Sequence, residues 1–273
     1  MLEAISYSNV SVTPRKKMKK IIFSGCGHLT PYHFGAAIYL HQQQQIMSSS
    51  NIVVAGVSGG ALVAALLRFA PDKLNDVADY VCRTNKTLSG VLNELSGILL
   101  EGEGEEGLEV CVSRSSDGQL VRLSEHSNLN LEDALRAATH IPRDFHPFDL
   151  LSSKSSQYTS GYLYQHEHEY VDAGVCGHFM PFDEDTVFGI SPFSLRSIKK
   201  AAVCCPENPN STTTSKLTLP NSNIYLNLAN LRRCQIAMFG GSEAALRSLL
   251  HNGYSDCARV FSSSSNLFFD AQN

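Results

Sequence analysis

Residues 51–69, N-I-V-V-A-G-V-S-G-G-A-L-V-A-A-L-L-R-F, decide the fold of this chain. The apolar run at 51–55 predicts a buried strand, residues 56–60 predict a sharp turn, and the alanine- and leucine-rich residues 61–69 predict a helix. A strand, a glycine turn and a helix in this order form one βα unit of a parallel sheet. Packing alone does not explain why Ser58 lies among the glycines of the turn.

A similar unit precedes this one in the chain. Residues 20–24 predict a short buried strand, the G-C-G segment at 25–27 predicts a turn, and residues 31–46 predict a helix with Pro31 in its first turn. Two successive βα units predict an α/β fold, with a central, mostly parallel sheet flanked by helices.

Local patterns predict further elements downstream. Asn130, three residues before Asp133, is typical of a helix start. The other predicted elements are a hairpin of residues 108–112 and 119–123 turning at Asp117-Gly118, a strand ending before Asp172, a strand at 186–190, and helices at 224–239 and 242–261.

The chain is expected to form one domain at residues 19–262, between a mobile basic tail at 1–18 and a loose C-terminal tail at 263–273. Its 273 residues and 43% hydrophobic content suffice for a large buried core. The basic cluster at 15–20 is expected to be a solvated lead-in to the first strand, with contact to anionic lipid headgroups as the alternative.

Composition also excludes classes of function. A formal net charge of −4 argues against broad nucleic-acid binding, which needs a basic face. The eight cysteines contain no C-x-x-C pair and no signal peptide is visible, so we expect reduced thiols and an intracellular location, cytoplasmic or peripherally associated with a membrane or lipid droplet. The apolar run at 52–67 is shorter than the roughly 20 residues of a membrane-spanning helix. Any membrane contact is therefore expected to be peripheral.

The serine turn has the chemistry of a nucleophile. Flanking glycines let the backbone bend sharply and expose the Ser58 hydroxyl, and the N-terminus of the following helix favours negative charge there. The G-x-S-x-G pattern within a strand and a helix therefore indicates catalysis, with a purely structural turn as the alternative.

The turn at 25–27 is a candidate oxyanion hole, because its glycines allow successive N–H groups to converge on one oxygen. An ordinary βα turn is the alternative. Dinucleotide binding is disfavoured, because the segment lacks a third glycine and no acidic ribose partner is evident.

The base is less certain from the residues alone. A Ser58, Asp172 and His178 or His251 triad has the chain order of an α/β-hydrolase, but that fold places several strands before its nucleophile. Asp172 directly follows a predicted strand end and precedes Ala173-Gly174, which places its carboxylate at the same rim as Ser58. A D-A-G segment alone is most often a turn.

The ordered set G-C-G at 25–27, G-V-S-G-G at 56–60 and D-A-G at 172–174 resembles the patatin-like phospholipases. The pattern is most similar to the adipose triglyceride lipase branch, and the resemblance covers roughly residues 19–262. Further matches are F-S-G at 23–25, Y-H-F-G at 32–35, L-R-A-A at 135–138, I-P at 141–142, Y-V-D at 170–172 and G-Y-S-D at 253–256.

The resemblance implies a serine acyl hydrolase with a Ser-Asp dyad, no catalytic histidine, no cofactor and no metal. Ser58 would be the nucleophile, Asp172 the general base, and the N–H groups of Gly25, Cys26 and Gly27 the oxyanion hole. The implied partners are a fatty-acyl lipid substrate, a membrane or lipid-droplet surface, and a protein activator that the sequence does not identify. The first turn departs from the family pattern, because Cys26 and Thr30 replace glycines and the basic residue is absent.

The sequence allows other interpretations. The noncatalytic alternative is a lipid-droplet or membrane interaction protein, and the nearer alternative is a transacylase on the same fold.

The H-E-H-E run at 166–169 is expected to be an exposed loop before the Asp172 strand, with a zinc site as the alternative. Cys26 is expected to be a small residue in a glycine position, with a reactive thiol as the alternative. Residues 183–185 are expected to be a solvated turn rather than a cation site. The aromatic residues Phe145, Phe148, Phe179 and Phe182 are expected to be core rather than acyl-chain contacts.

Overall fold

The computed structural model describes residues 18–43, 51–84, 88–100, 107–124, 129–145, 158, 160–165, 168–197, 201–207, 215–219 and 222–264. The predicted tails fall outside these ranges, apart from Met18 and the serines at 263 and 264. Those two serines belong to the last helix.

The described residues form strands and helices. The strands are β1 (Lys19–Phe23), β2 (Ile52–Val57), β3 (Leu108–Arg114), β4 (Leu120–Ser124), β5 (Tyr162–Tyr164), β6 (His168–Asp172), β7 (Thr186–Ile190), β8 (Leu195–Ser197), β9 (Ala202–Cys204), β10 (Lys216–Leu219) and β11 (Ser222–Tyr225). The helices are α1 (Thr30–Gln42), α2 (Gly59–Phe69), α3 (Leu74–Thr84), α4 (Leu88–Leu100), α5 (Leu131–Ala138), α6 (Leu228–Phe239) and α7 (Glu243–Ser264).

The main sheet has the order β5-β6-β3-β2-β1-β7-β9, with β4 also paired to β3. β3, β2, β1, β7 and β9 run parallel to one another, whereas β4 and β6 run antiparallel to β3. The predicted mostly parallel sheet flanked by helices is confirmed. Parallel strands carry helices on both faces, which is why β2 is buried along its whole length.

Most of the elements predicted downstream are present. β3 and β4 pair as the predicted hairpin, β7 has the predicted bounds, and the Asn130 side chain accepts a hydrogen bond of 3.1 Å from the Asp133 N–H at the start of α5. These elements carry strong local signals, namely an Asp-Gly turn, an apolar run and an N-cap.

The helix predicted at 224–239 is wrong at its start. Residues 222–225 form β11, which pairs antiparallel with β10 and β8 in a second, three-stranded sheet, and the helix begins at Leu228. Ile224 is buried and opposite Leu217 of the adjacent strand β10 and Leu195 of the more distant β8, so strand pairing overrides the local helical pattern.

Two expectations of solvated charge are wrong at one residue each, Lys20 and Asp183, whereas Glu184 is exposed as expected. Lys20 is buried, and its Nζ forms ion pairs with Glu109 at 2.8 Å and Asp183 at 2.5 Å. Arg122 contacts the same two carboxylates, and the pKa of Asp183 is lowered because its hydrogen bonds and these cations outweigh its burial. This network connects β1, β3 and β4 to the loop before β7.

Candidate active site

Ser58 occupies the single-residue turn between β2 and α2. Its backbone has φ 55° and ψ −129°, a conformation rare for residues with a side chain. Such strain is retained at functional sites, and a serine in a strand-to-helix turn presents its hydroxyl at the edge of a sheet. Gly56 and Gly60, on either side of Ser58, allow close packing. A Cβ on Gly60 would meet the backbone carbonyls of Phe23, in β1, and Ser24, and a Cβ on Gly56 would meet the backbone of α2.

Asp172 ends β6 and contacts Ser58, as the sequence predicts for the rim of the sheet. Its carboxylate interacts with the Ser58 hydroxyl and accepts a 2.8 Å hydrogen bond from the Gly174 N–H. The side chain is almost fully buried, and this burial raises its pKa to about 6 although both interactions lower it. The carboxylate is therefore a stronger base than an exposed aspartate.

The histidines considered for a triad lie elsewhere. The His178 ring makes a hydrogen bond of 3.0 Å with the Gly118 carbonyl, and His251 is exposed on α7. Among the described residues, Ser58 and Gly174 are the groups whose interactions lower the pKa of Asp172, and no histidine is one of them. The geometry therefore favours the dyad over the triad.

The glycine turn at 25–27 lies after β1, the neighbour of β2, so it is at the same end of the sheet as Ser58. The Gly25 N–H donates a 2.9 Å hydrogen bond to the Phe179 carbonyl and is therefore not free to bind an oxyanion in this conformation. Among the hydrogen bonds of the described residues, none has the N–H of Cys26 or of Gly27 as its donor. These two N–H groups are the available part of the predicted hole.

Cys26 and Thr30, which stand where the patatin-like pattern has glycines, contact each other through their side chains. Cys26 Sγ lies 3.5 Å from Thr30 Oγ1, and that hydroxyl donates a 2.7 Å hydrogen bond to the Gly27 carbonyl. Burial raises the pKa of the Cys26 thiol to about 12, so the thiol stays protonated and the reactive-thiol alternative loses support. Cys26 and Thr30 thus hold the turn from inside.

His33 is a positioning residue to which the sequence reasoning assigned no role. Its Nε2 lies 2.9 Å from the Ser24 carbonyl, directly before the glycine turn, and the ring is fully buried. Burial lowers its pKa to about 4, so the ring is neutral and donates to that carbonyl through Nε2–H. The feature of the sequence that could have indicated this role is a histidine among the apolar residues of α1.

An apolar cavity of about 540 Å³ adjoins both the turn after Asp172 and the segment that binds the glycine turn at 25–27. Gly174, whose N–H binds Asp172, lines one part, and Phe179, whose carbonyl binds Gly25, lines another. Of the four aromatic residues weighed in the sequence, Phe179 lines the cavity, Phe182 is buried in the core, Phe145 packs near Tyr158, and Phe148 lies outside the described residues. The core assignment of Phe179 is therefore incomplete.

No metal-binding group of three or more His, Cys, Asp or Glu side chains occurs within the described part of the chain. His166 and Glu167, the first half of the H-E-H-E run, lie outside it. Across the same described residues, no helix has the length and apolar character needed to cross a membrane.

The chain is similar over most of its length to patatin-like phospholipase domain proteins, which confirms the resemblance predicted from its motifs. It is 27% identical over 264 residues to patatin-like phospholipase domain-containing protein 2 of Rattus norvegicus, covering 90% of this chain and 51% of that protein. It is 25% identical over 249 residues to patatin-like phospholipase domain-containing protein 4 of Homo sapiens, covering 87% and 94%. A third relative, 1-acylglycerol-3-phosphate O-acyltransferase Pnpla3 of Mus musculus, is 26% identical over 255 residues, covering 87% and 57%.

The chain spans about half the length of the first of these relatives. No protein-family model matches it. Among solved structures, VipD from Legionella pneumophila is similar with a TM-score of 0.43 and 11% identity, covering 91% of this chain and 67% of that one. The ExoU–SpcU complex of Pseudomonas aeruginosa gives a TM-score of 0.39 and 12% identity, covering 92% and 52%.

Proposed function

We propose that this protein is a serine acyl hydrolase that releases fatty acids from acylglycerol or phospholipid esters. The observation that carries the proposal is the interaction between the strained Ser58 and the buried Asp172, whose raised pKa suits a general base. The names of the similar proteins support lipid esters as the substrate class.

The reaction proceeds through an acyl-enzyme. Ser58 Oγ attacks the ester carbonyl carbon while its proton moves to Asp172, and the Cys26 and Gly27 N–H groups bind the oxyanion that forms. Collapse of this intermediate breaks the ester C–O bond, and Asp172 returns the proton to the leaving alcohol. Water then attacks the acyl-enzyme, again with Asp172 taking a proton, and the fatty acid leaves as Ser58 recovers its hydrogen.

The direct dyad is physically coherent because burial makes Asp172 a stronger base and helix α2 favours the negative charge that develops near Ser58. An aspartate with the reference pKa near 4 is a poor base for a hydroxyl, and burial of Asp172 moves its pKa towards neutrality. The positive end of α2 begins at the residue after Ser58 and favours the developing negative charge.

Fatty-acid release from dispersed triacylglycerol, diacylglycerol and phospholipid tests this proposal. Ser58→Ala is expected to reduce release to background, and Asp172→Asn to reduce it at least a hundredfold, because each removes a partner in proton transfer. Ser248→Ala and Asp76→Asn, at exposed serine and aspartate positions on α7 and α3, are matched controls expected to retain full release. Wild-type release by purified Ser58→Ala would refute the mechanism.

Acyl transfer to a second lipid alcohol is the second candidate, favoured by the name of the mouse relative, an O-acyltransferase. The same acyl-enzyme would then react with that alcohol instead of water. Adding a lysophosphatidic acid acceptor during turnover distinguishes the two, because transfer forms a new diacyl lipid in a Ser58-dependent way. Vesicle or droplet binding without any Ser58-dependent turnover would instead favour the noncatalytic alternative.

A further inference from the structure

Helix α6 has an inverted distribution of polar and apolar side chains. Its fully buried residue is Asn230, whereas Leu228, Leu231, Met238 and Phe239 are 81%, 66%, 46% and 75% exposed. Leu231, Met238 and Phe239 follow Leu228 by three, ten and eleven residues, spacings that place side chains on one face of a helix. The four side chains therefore form a single outward stripe. We call them the α6 stripe.

Polar contacts hold the inner side of α6. Asn230 Nδ2 donates to the carbonyls of Ser194 at 2.9 Å and Tyr225 at 2.8 Å, and Asn230 Oδ1 accepts from the Ser194 N–H at 3.0 Å. Arg233 donates to the same Asn230 oxygen at 2.9 Å. The helix is thus fixed with its apolar side chains facing outward, an orientation that a globular domain in water does not favour.

The apolar cavity lies beneath this helix. Leu228, Leu231 and Cys234 line it from α6, and Leu217 and Ile224 line it from β10 and β11. Its volume of about 540 Å³ lies within the range of small-molecule sites. Because the two leucines belong to both the cavity wall and the α6 stripe, the cavity is continuous with the exposed apolar surface.

The charge of α6 identifies the kind of partner. The helix carries no acidic residue, and Arg232 is exposed beside the stripe. An exposed apolar stripe on a helix that carries basic but no acidic residues is compatible with the interface of an anionic lipid layer.

We propose that α6 docks on an anionic lipid surface and that the cavity beneath it receives one fatty-acyl chain of the ester. This inference rests on the proposed function, because it supplies the route by which an ester within a lipid layer reaches Ser58. The chain would pass between the α6 leucines and lie against Phe179 and Gly174, next to the oxyanion turn and the Asp172 turn.

The surface contact is tested with a fluorescent reporter. The chain contains no tryptophan, so Phe239→Trp gives a single reporter within the stripe. Vesicles of phosphatidylcholine with phosphatidylserine are expected to shift its emission to shorter wavelength, and brominated lipid is expected to quench it. Leu228→Ser and Met238→Ser are each expected to weaken vesicle pelleting about tenfold, because each loses buried apolar area. Leu163→Ser, at a half-exposed leucine of β5, is the matched control.

The electrostatic part has its own comparison. Arg232→Gln is expected to weaken binding to the anionic vesicles and to leave binding to pure phosphatidylcholine unchanged. Vesicle binding that is insensitive to the stripe variants would overturn the proposal. So would a dimer in sedimentation that the same variants dissociate, with no vesicle binding, since the stripe would then be a contact between two copies.

The cavity is tested with cis-parinaric acid, a fatty acid whose fluorescence rises in an apolar site. Ser58→Ala is expected to bind it, which separates binding from catalysis. Cys234→Trp fills the cavity from an exposed position of α6 and is expected to weaken this binding at least tenfold, whereas Ser248→Trp adds the same side chain on α7 and serves as the control. Equal binding by both variants would overturn the assignment of the cavity.

A soluble short-chain ester separates failure of this inference from failure of the proposed function. If the inference alone is wrong, the protein hydrolyses the soluble ester while the stripe variants leave vesicle binding unchanged. If hydrolysis alone is wrong, the soluble ester is not cleaved, but vesicle and parinaric acid binding still respond to the variants as expected.

Discussion

The Gly25 N–H donates its hydrogen bond to the carbonyl of Phe179, which connects the first βα turn to the segment that follows Asp172. The glycine turn and the segment after Asp172 are therefore in direct contact, although they lie far apart in sequence. Phe179 also lines the apolar cavity, so an acyl chain seated there would contact the residue that fixes the glycine turn.

The pH dependence of turnover should report Asp172. The base must be ionised, and burial raises its pKa to about 6, so kcat/KM for a soluble ester is expected to fall as the pH decreases through about 6 and to level off above 7. Initial rates between pH 4 and 9, corrected with Ser58→Ala, measure this profile. A single limb below pH 5 would show that an aspartate with an ordinary pKa, or another group, limits the reaction.

The same burial predicts a stability change. Because the pKa of Asp172 is higher in the folded than in the unfolded state, its ionisation destabilises the fold as the pH rises from about 4 through 6. Asp172→Asn removes that cost, so the variant should gain stability relative to wild type between pH 4 and pH 8, by on the order of 2 kcal/mol at about 1.4 kcal/mol per pKa unit. Urea unfolding at both pH values measures the difference.

Asp76→Asn, at an exposed position on α3, is the control for that comparison. Its free energy of unfolding relative to wild type should change little with pH. A pH-independent difference for Asp172→Asn as well would indicate that the Asp172 carboxylate is more hydrated than its burial implies.

The strained turn predicts an inverted response to glycine. At φ 55° and ψ −129°, Ser58→Gly should be about 1 kcal/mol more stable than Ser58→Ala, because strain of this kind costs about 1–3 kcal/mol and glycine avoids it. At the helical position Ser248 the order should be opposite, with Ser248→Gly about 1 kcal/mol less stable than Ser248→Ala. Thermal or urea unfolding of the four variants tests the pair of signs, and the same sign at both positions would contradict a strained Ser58.

The parts of the fold that the sequence predicted carry their own local signals. The turn around Ser58, the Asn130 cap and β7 each follow from a few adjacent residues. The second sheet was missed because Leu195 meets Ile224 only after the distant strand β8 pairs with β11, although β10 and β11 are neighbours in sequence. The same limit applies to charge, since nothing near Lys20 in the sequence indicates its partners Glu109 and Asp183.

The site divides in the same way. Glycines around a serine and a D-A-G segment after an apolar strand end are local, so Ser58 and Asp172 could be named in advance and are in contact in the structure. The acceptor of the Gly25 N–H comes from residue 179, and no local pattern could show that this N–H is occupied. The roles of Ser58, Asp172 and the oxyanion turn in catalysis stay predictions.

Gly27 provides the sharpest test of how α6 and the oxyanion turn depend on each other. Its φ is 52°, and a Cβ there would meet the backbone carbonyl of Ala237 in α6, which no side-chain rotation relieves. Gly177 also has a left-handed φ, of 82°, but a Cβ there would meet nothing, so Gly177→Ala isolates the conformational cost of about 1 kcal/mol.

Gly27→Ala should therefore destabilise the protein by about 2 kcal/mol more than Gly177→Ala, because it must also displace α6 or the turn. It should lower kcat for a soluble ester at least a hundredfold, since it moves an oxyanion donor, and Gly177→Ala should lower kcat far less. Urea unfolding and ester turnover of both variants measure the two effects. Equal losses of stability would mean that α6 moves away from the added Cβ without a cost in free energy of unfolding. Wild-type kcat in folded Gly27→Ala would exclude the Gly27 N–H from the oxyanion hole.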